Sequence, residues 1–101
     1  MPKTTSTPPE DAAPALAPNE HAVTQAALAE YLANAAVNEL VIAEIERGVY
    51  RLECSLSWRP GTGVLVAARG SARTFRSLDT LATFLQTMGT GATLIRFIPK
   101  S

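Results

Sequence analysis

The side chains in this sequence that could do chemistry are mostly arginines. Arg51, Arg59, Arg69, Arg73 and Arg76 fall within one stretch. A guanidinium offers a planar fork of donors that fits phosphate oxygens and guanine edges. These five are therefore candidate nucleic-acid contacts, mostly to phosphates. The charge distribution supports that reading. Formal net charge over the 101 residues is zero. Residues 1–46, however, carry Lys3 alone against Glu10, Asp11, Glu20, Glu30, Glu39, Glu44 and Glu46. Residues 47–101 carry Arg47, Arg96 and Lys100 besides the five arginines, opposed only by Glu53 and Asp79. Such a split points to nucleic acid or to an acidic partner. The competing account is a solvated basic face, balanced by acidic residues of the same chain or of a dimer mate.

Other chemistry fails on inventory. A nucleophile needs a nearby base, and the one histidine, His21, lies at the start of the chain's first ordered stretch, where it reads as exposed surface. The one cysteine, Cys54, has no partner for an internal disulfide or a zinc site and reads as a small buried hydrophobe, the alternative being an intermolecular disulfide or a reactive thiol. The carboxylates of the basic half, Glu53 and Asp79, have places on a polar strand face and at a helix start. Neither RPGTG nor RGSAR has the spacing of a phosphate loop. The expectation is a non-enzymatic protein with no cofactor, no metal and no small-molecule substrate. No apolar run approaches the roughly 18 residues that span a bilayer, and MPKTTSTPPEDAAPALAPNE lacks a signal peptide's apolar core. The expected location is the cytoplasm, with no membrane partner.

These residues must be positioned by a small set of elements. Tyr50, Leu52, Cys54, Leu56 and Trp58 alternate with Arg51, Glu53, Ser55 and Ser57. This predicts a strand with one buried face, Arg51 lying on the other. Arg59-Pro60-Gly61-Thr62-Gly63 reads as a turn and Val64–Ala68 as the return strand. After Gly70-Ser71, Arg73–Phe75 reads as a short third strand. Ser77 is a good N-cap and Asp79 suits the first turn of a helix. Leu78, Leu81, Leu85 and Met88 form its apolar stripe, Phe84 widens it, and Gly89 ends it. Ala92–Ile98 reads as a last strand closed by Pro99. Trp58 and Phe75 are expected in the core under Leu81 and Leu85. The alternative puts Trp58 at the rim beside Arg59, free to stack on a base or a partner's aromatic.

Upstream, residues 1–18 hold five of the seven prolines and read as a disordered Pro/Ala-rich tail. Residues 19–101 form the single domain. From an Asn19 cap to Arg47 and Gly48 the composition predicts helix, with Leu28, Tyr31, Leu32, Ala35, Glu39, Ile42 and Ile45 near one face. One helix of that length would run about 40 Å, more than a domain this small needs. Either it breaks near Asn34–Asn38, leaving Leu40–Glu46 as an extra strand, or it stays long and packs against its twin in a homodimer.

Trp58, Gly61, Gly63, Val64, Arg69, Gly70, Arg73, Phe75, Ser77 and Asp79 together form a pattern. It resembles the three-stranded sheet plus helix of integrase arm-type and AP2-type DNA-binding domains. The second strand lacks the usual aromatic, and a strand follows the helix. The chain also resembles short accessory proteins, including partition-associated ones, of bacterial plasmids and integrative elements. Both resemblances imply a DNA-associated role, such as plasmid or mobile-element maintenance.

The sequence therefore predicts an α+β fold: an N-terminal helix, then a small antiparallel sheet with one packed helix, in the order α-β-β-(β)-α-β. The predicted function is a DNA-binding or DNA-associated accessory protein using an arginine-bearing ribbon. The alternative is a protein–protein interaction module acting through the long helix or a sheet edge.

Overall fold

A computed structural model describes residues 16–68, 70–91 and 93–100. Of the expected tail, residues 1–18, residues 1–15 lie outside the described residues. The fold is α+β, as expected, but its sheet is mixed. The central strand is β3 (Val49–Leu56). Its alternation is real: Leu52, Cys54 and Leu56 are buried on one face, and Arg51, Glu53 and Ser55 lie on the other. β2 (Val37–Glu46) and β4 (Arg59–Leu65) flank it antiparallel. β1 (Glu20–Val23) adds parallel to β4, and β6 (Leu94–Ile98) parallel to β2. The order is β1-β4-β3-β2-β6. A two-residue strand, β5 (Thr74–Phe75), pairs with Tyr50 and Arg51 of β3, beyond the stretch that β4 occupies.

The N-terminal helix is overturned in extent. Glu20–Val23 is a strand, and α1 spans only Gln25–Ala33. Its cap is Thr24, whose hydroxyl accepts from Ala27 N at 3.1 Å, and not Asn19. Of the two outcomes open in the sequence, the break near Asn34–Asn38 is the one observed. At this break Ala36 N donates to Tyr31 O and Ala35 N to Leu32 O, with Ala35 at φ 55°. That is a Schellman ending with alanine where glycine is usual. The extra strand then starts at Val37. It imitates a helix because of a bulge. Val37 pairs with Leu56 but Glu39 with Ser55, so Asn38 is an extra residue. The bulge puts Val37 and Leu40, three apart in sequence, on the same buried face. Three-residue spacing is what a helix would show. Gly48, read as a helix end, lies in the β2–β3 turn at φ 75°.

The second hairpin also differs. Its turn is Ser57-Trp58, and Arg59 already pairs with Leu56. Because Cys54 pairs with Gly63, residues 60–62 bulge out opposite Ser55. Gly61 is needed there: it sits at φ 90°, and a Cβ would lie 2.6 Å from Asn19 O.

α2 (Leu78–Met88) has the predicted bounds and caps, but Leu78 of the predicted stripe is 43% exposed. Ser77 Oγ accepts from Thr80 N at 3.1 Å, and Gly89 closes the helix at φ 78°. Leu81 and Leu85 of α2 and Leu28 of α1 are buried against Val37, Leu40, Leu52, Cys54, Leu56 and Phe75. Both helices thus cover the same face of the sheet. No described element covers the other.

Candidate functional site

The arginines do not converge. Arg51 lies on the helix-free face, where its Nε donates to Glu53 Oε2 at 2.7 Å and its Nη2 to Glu20 Oε2 at 2.5 Å. All three side chains are mostly buried, the arginine at 18% exposure. Two carboxylates thus hold Arg51 within the fold. These bonds, with burial opposing them, keep its pKa raised. Glu20 is lowered, first by the backbone N–H of Ala17. Arg73 lies over α2, on the opposite face. Its guanidinium carbon is 4.9 Å from the Phe75 ring centroid and 4.6 Å from that of Phe84, and Nη1 donates to Gln25 Oε1 at 3.3 Å. Arg76 is exposed in the bend before α2. Arg59 is exposed just past the other end of β3, about 20 Å along the strand at 3.3 Å per residue. Arg69 lies outside the described residues.

Trp58 is a correction to the core expectation. It is 56% exposed because β3 ends at Leu56 and the alternation stops in the turn. Its ring meets Tyr31 of α1 edge-on, centroids 5.6 Å apart. Phe75, as expected, is core, 3% exposed and 5.4 Å from Phe84.

His21 is also corrected. It is half-buried and sits across from Gly63, which sits across from Cys54. Its Nε2 is buried with no hydrogen-bond partner among the described residues. Burial, and then the charge of Arg59, lower its pKa. Burial pushes the Cys54 thiol up to about 11, and the neighbouring Glu53 adds to this. A thiol so protonated at neutral pH is a poor nucleophile. Among the described residues no group of three or more His, Cys, Asp or Glu side chains could hold a metal. No described helix is long and apolar enough to cross a membrane.

The remaining candidate is β6. Among the described residues only β2 pairs with it, which leaves the other side of its backbone open there. Ile95 and Phe97 share a face with Leu40 and Ile42, and Leu94 and Ile98 lie on the other. Leu94 is 63% exposed, Ile95 42%, Phe97 45% and Ile98 44%. Phe97 and Tyr50 place their ring centroids 6.2 Å apart, extending the apolar strip inward. The strand's one charge, Arg96, donates from Nη2 to Glu39 Oε1 at 2.9 Å. Glu39 belongs to β2, so this ion pair engages the guanidinium on the β2 side, with the arginine side chain 58% exposed. Sequence reading found this strand and both its faces but did not recognise the exposure. The signal was there: a short strand apolar on both sides, with no predicted element left to cover it.

No protein-family model, no curated protein and no solved structure matches the chain.

Proposed function

We propose that this protein is a non-enzymatic protein-interaction module that receives an extended partner segment on the open side of β6. The observation behind this reading is the exposure of all four apolar residues of that strand. Edge strands are usually guarded by charge, proline or a covering element. β6 has a single charge, and it is paired with Glu39. An open backbone ladder with apolar side chains on both faces is what strand addition uses, hydrogen bonds giving affinity and side chains specificity. The helix-borne version of the idea falls away, because α1 has only nine residues.

The nucleic-acid reading rests on the charge split and on Arg59 and Arg76, both exposed. It has less support, because Arg51 and Arg73 are engaged within the fold on opposite faces.

The edge reading is tested by placing a photo-crosslinking residue at Leu94, or at the exposed Thr83 of α2, and irradiating in cells. Adducts from position 94 and none from position 83 are expected. No adduct from position 94 would end the proposal.

A further inference from the structure

We infer that the strand received at this edge is β6 of a second copy of the chain, paired antiparallel about a two-fold axis through Arg96. This rests on the edge reading above and names its partner. Two observations support it, and a third sets how tightly it holds.

The first is chemical matching. A strand that pairs with β6 must be apolar on both faces, because β6 is. The other edge of the sheet, β1, reads Glu20-His21-Ala22-Val23, with polar groups on both faces. Among the described strands, β6 itself matches best. Its sequence, Leu94-Ile95-Arg96-Phe97-Ile98, is symmetric in character about its centre. Antiparallel pairing about Arg96 sets Ile95 opposite Phe97 of the other copy, and Leu94 opposite Ile98. Cross-strand pairs of aromatic and β-branched side chains are favourable. An axis perpendicular to the sheet keeps the helices of both copies on one side. The Tyr50–Phe97 contact then runs on into Ile95 of the other copy, making one continuous apolar strip.

The second is charge. The two Arg96 side chains would face each other at the axis, which is unfavourable if they are free. They are not free: each is paired with its own Glu39 at 2.9 Å. The centre of the interface therefore carries two neutralised pairs.

The third is area. Five residues per copy make a contact below the roughly 1,200 Å² that stable complexes bury. The dimer is therefore expected to form and dissociate with concentration, not to be permanent.

Disulfide trapping tests the register. Cα atoms directly opposite in an antiparallel pair lie about 4.5–5.5 Å apart, within disulfide range. Full-length Arg96→Cys, Leu94→Cys and Ile98→Cys are each equilibrated in a glutathione redox buffer, with wild type as the control for the buried Cys54. Arg96→Cys should form a covalent dimer as its main product. Leu94→Cys alone should form about ten-fold less, and Leu94→Cys mixed with Ile98→Cys should recover it. Wild-type sedimentation should rise toward twice the monomer mass as concentration increases. Self-trapping of Leu94→Cys as strong as that of Arg96→Cys would overturn the register. A monomer at every concentration with no trapped Arg96→Cys would overturn the dimer. In that case adducts from position 94 at masses other than twice the chain would leave the edge reading standing with a different partner. Their absence would remove both.

Discussion

Gly63 lies directly across from Cys54, and the thiol occupies the space that a side chain on the glycine would need. A Cβ at Gly63 would come within 2.7 Å of Cys54 Sγ and 2.8 Å of Val23 Cγ2. The missing side chain lets β1 and β3 close over β4. Gly63→Ala is therefore expected to cost about 1–3 kcal/mol by overpacking. Adding Cys54→Ala should recover part of that loss, because one of the two clashing atoms is gone. Urea titration of the single and double variants measures both. A Gly63→Ala protein as stable as wild type would contradict the packing.

Trp58 reports on the turn. At 56% exposure with an edge-on contact to Tyr31, its emission should be red-shifted in the native state. Trp58→Ala should stay folded and lose about 0.5–1.5 kcal/mol, the size of one aromatic pair. A blue-shifted native spectrum, or a variant that unfolds, would instead place the ring in the core.

Ala35 carries backbone strain. At φ 55° it occupies the left-handed region, which costs a residue with a side chain about 1 kcal/mol or more. Ala35→Gly should therefore raise stability by about 0.5–1 kcal/mol once the entropy of glycine is set against the relief. An unchanged or lower denaturation midpoint would be inconsistent with this helix ending.

The lowered pKa of His21 makes stability depend on pH. The folded protein disfavours the charged form of this imidazole, chiefly through burial. The unfolded chain protonates near the ordinary value of 6.5. Between the two values the unfolded state binds more protons, so stability rises with pH. Unfolding midpoints should therefore fall as pH drops below about 6.5, and His21→Gln should flatten that slope. The lowered carboxyls of Glu20 and Glu44 act in a more acidic window. Their stabilisation is present above their ordinary 4.5 and is lost as pH falls through the folded values.

Arg51 separates a structural from a contact role. Arg51→Ala leaves Glu20 and Glu53 mostly buried without their partner and should cost about 1–3 kcal/mol. Arg59→Ala and Arg76→Ala, at exposed positions, should cost almost nothing. Titration of duplex DNA at two salt concentrations completes the comparison. Removing one arginine that touches a phosphate lowers the salt slope by about 0.9. Any reduction should come from Arg59 or Arg76. A reduction on Arg51→Ala in a protein that remains folded would restore Arg51 as a nucleic-acid contact.

What the sequence determined by itself was whatever rests on neighbours in the chain. The period-two alternation of β3 buries Leu52, Cys54 and Leu56. Ser77 and Gly89 bound α2, and Leu81 and Leu85 turn one side of it to the core. Ile95 and Phe97 share one face of the last strand. These follow from local periodicity and capping, which need no distant partner. The tertiary structure decided the rest. Residues 20–46 are rich in Ala, Leu, Glu and Val, which fit helix or strand, and pairing with β3 and β4 chose strand on either side of α1. The Asn38 bulge hid one of those strands behind helical spacing. The neutralisation of Arg51 depends on Glu20, 31 residues earlier in the chain, and the pairing of Arg96 on Glu39, 57 residues earlier. Charge in a sequence gives a sum, whereas charge at a surface depends on which side chains the folded sheet brings within reach.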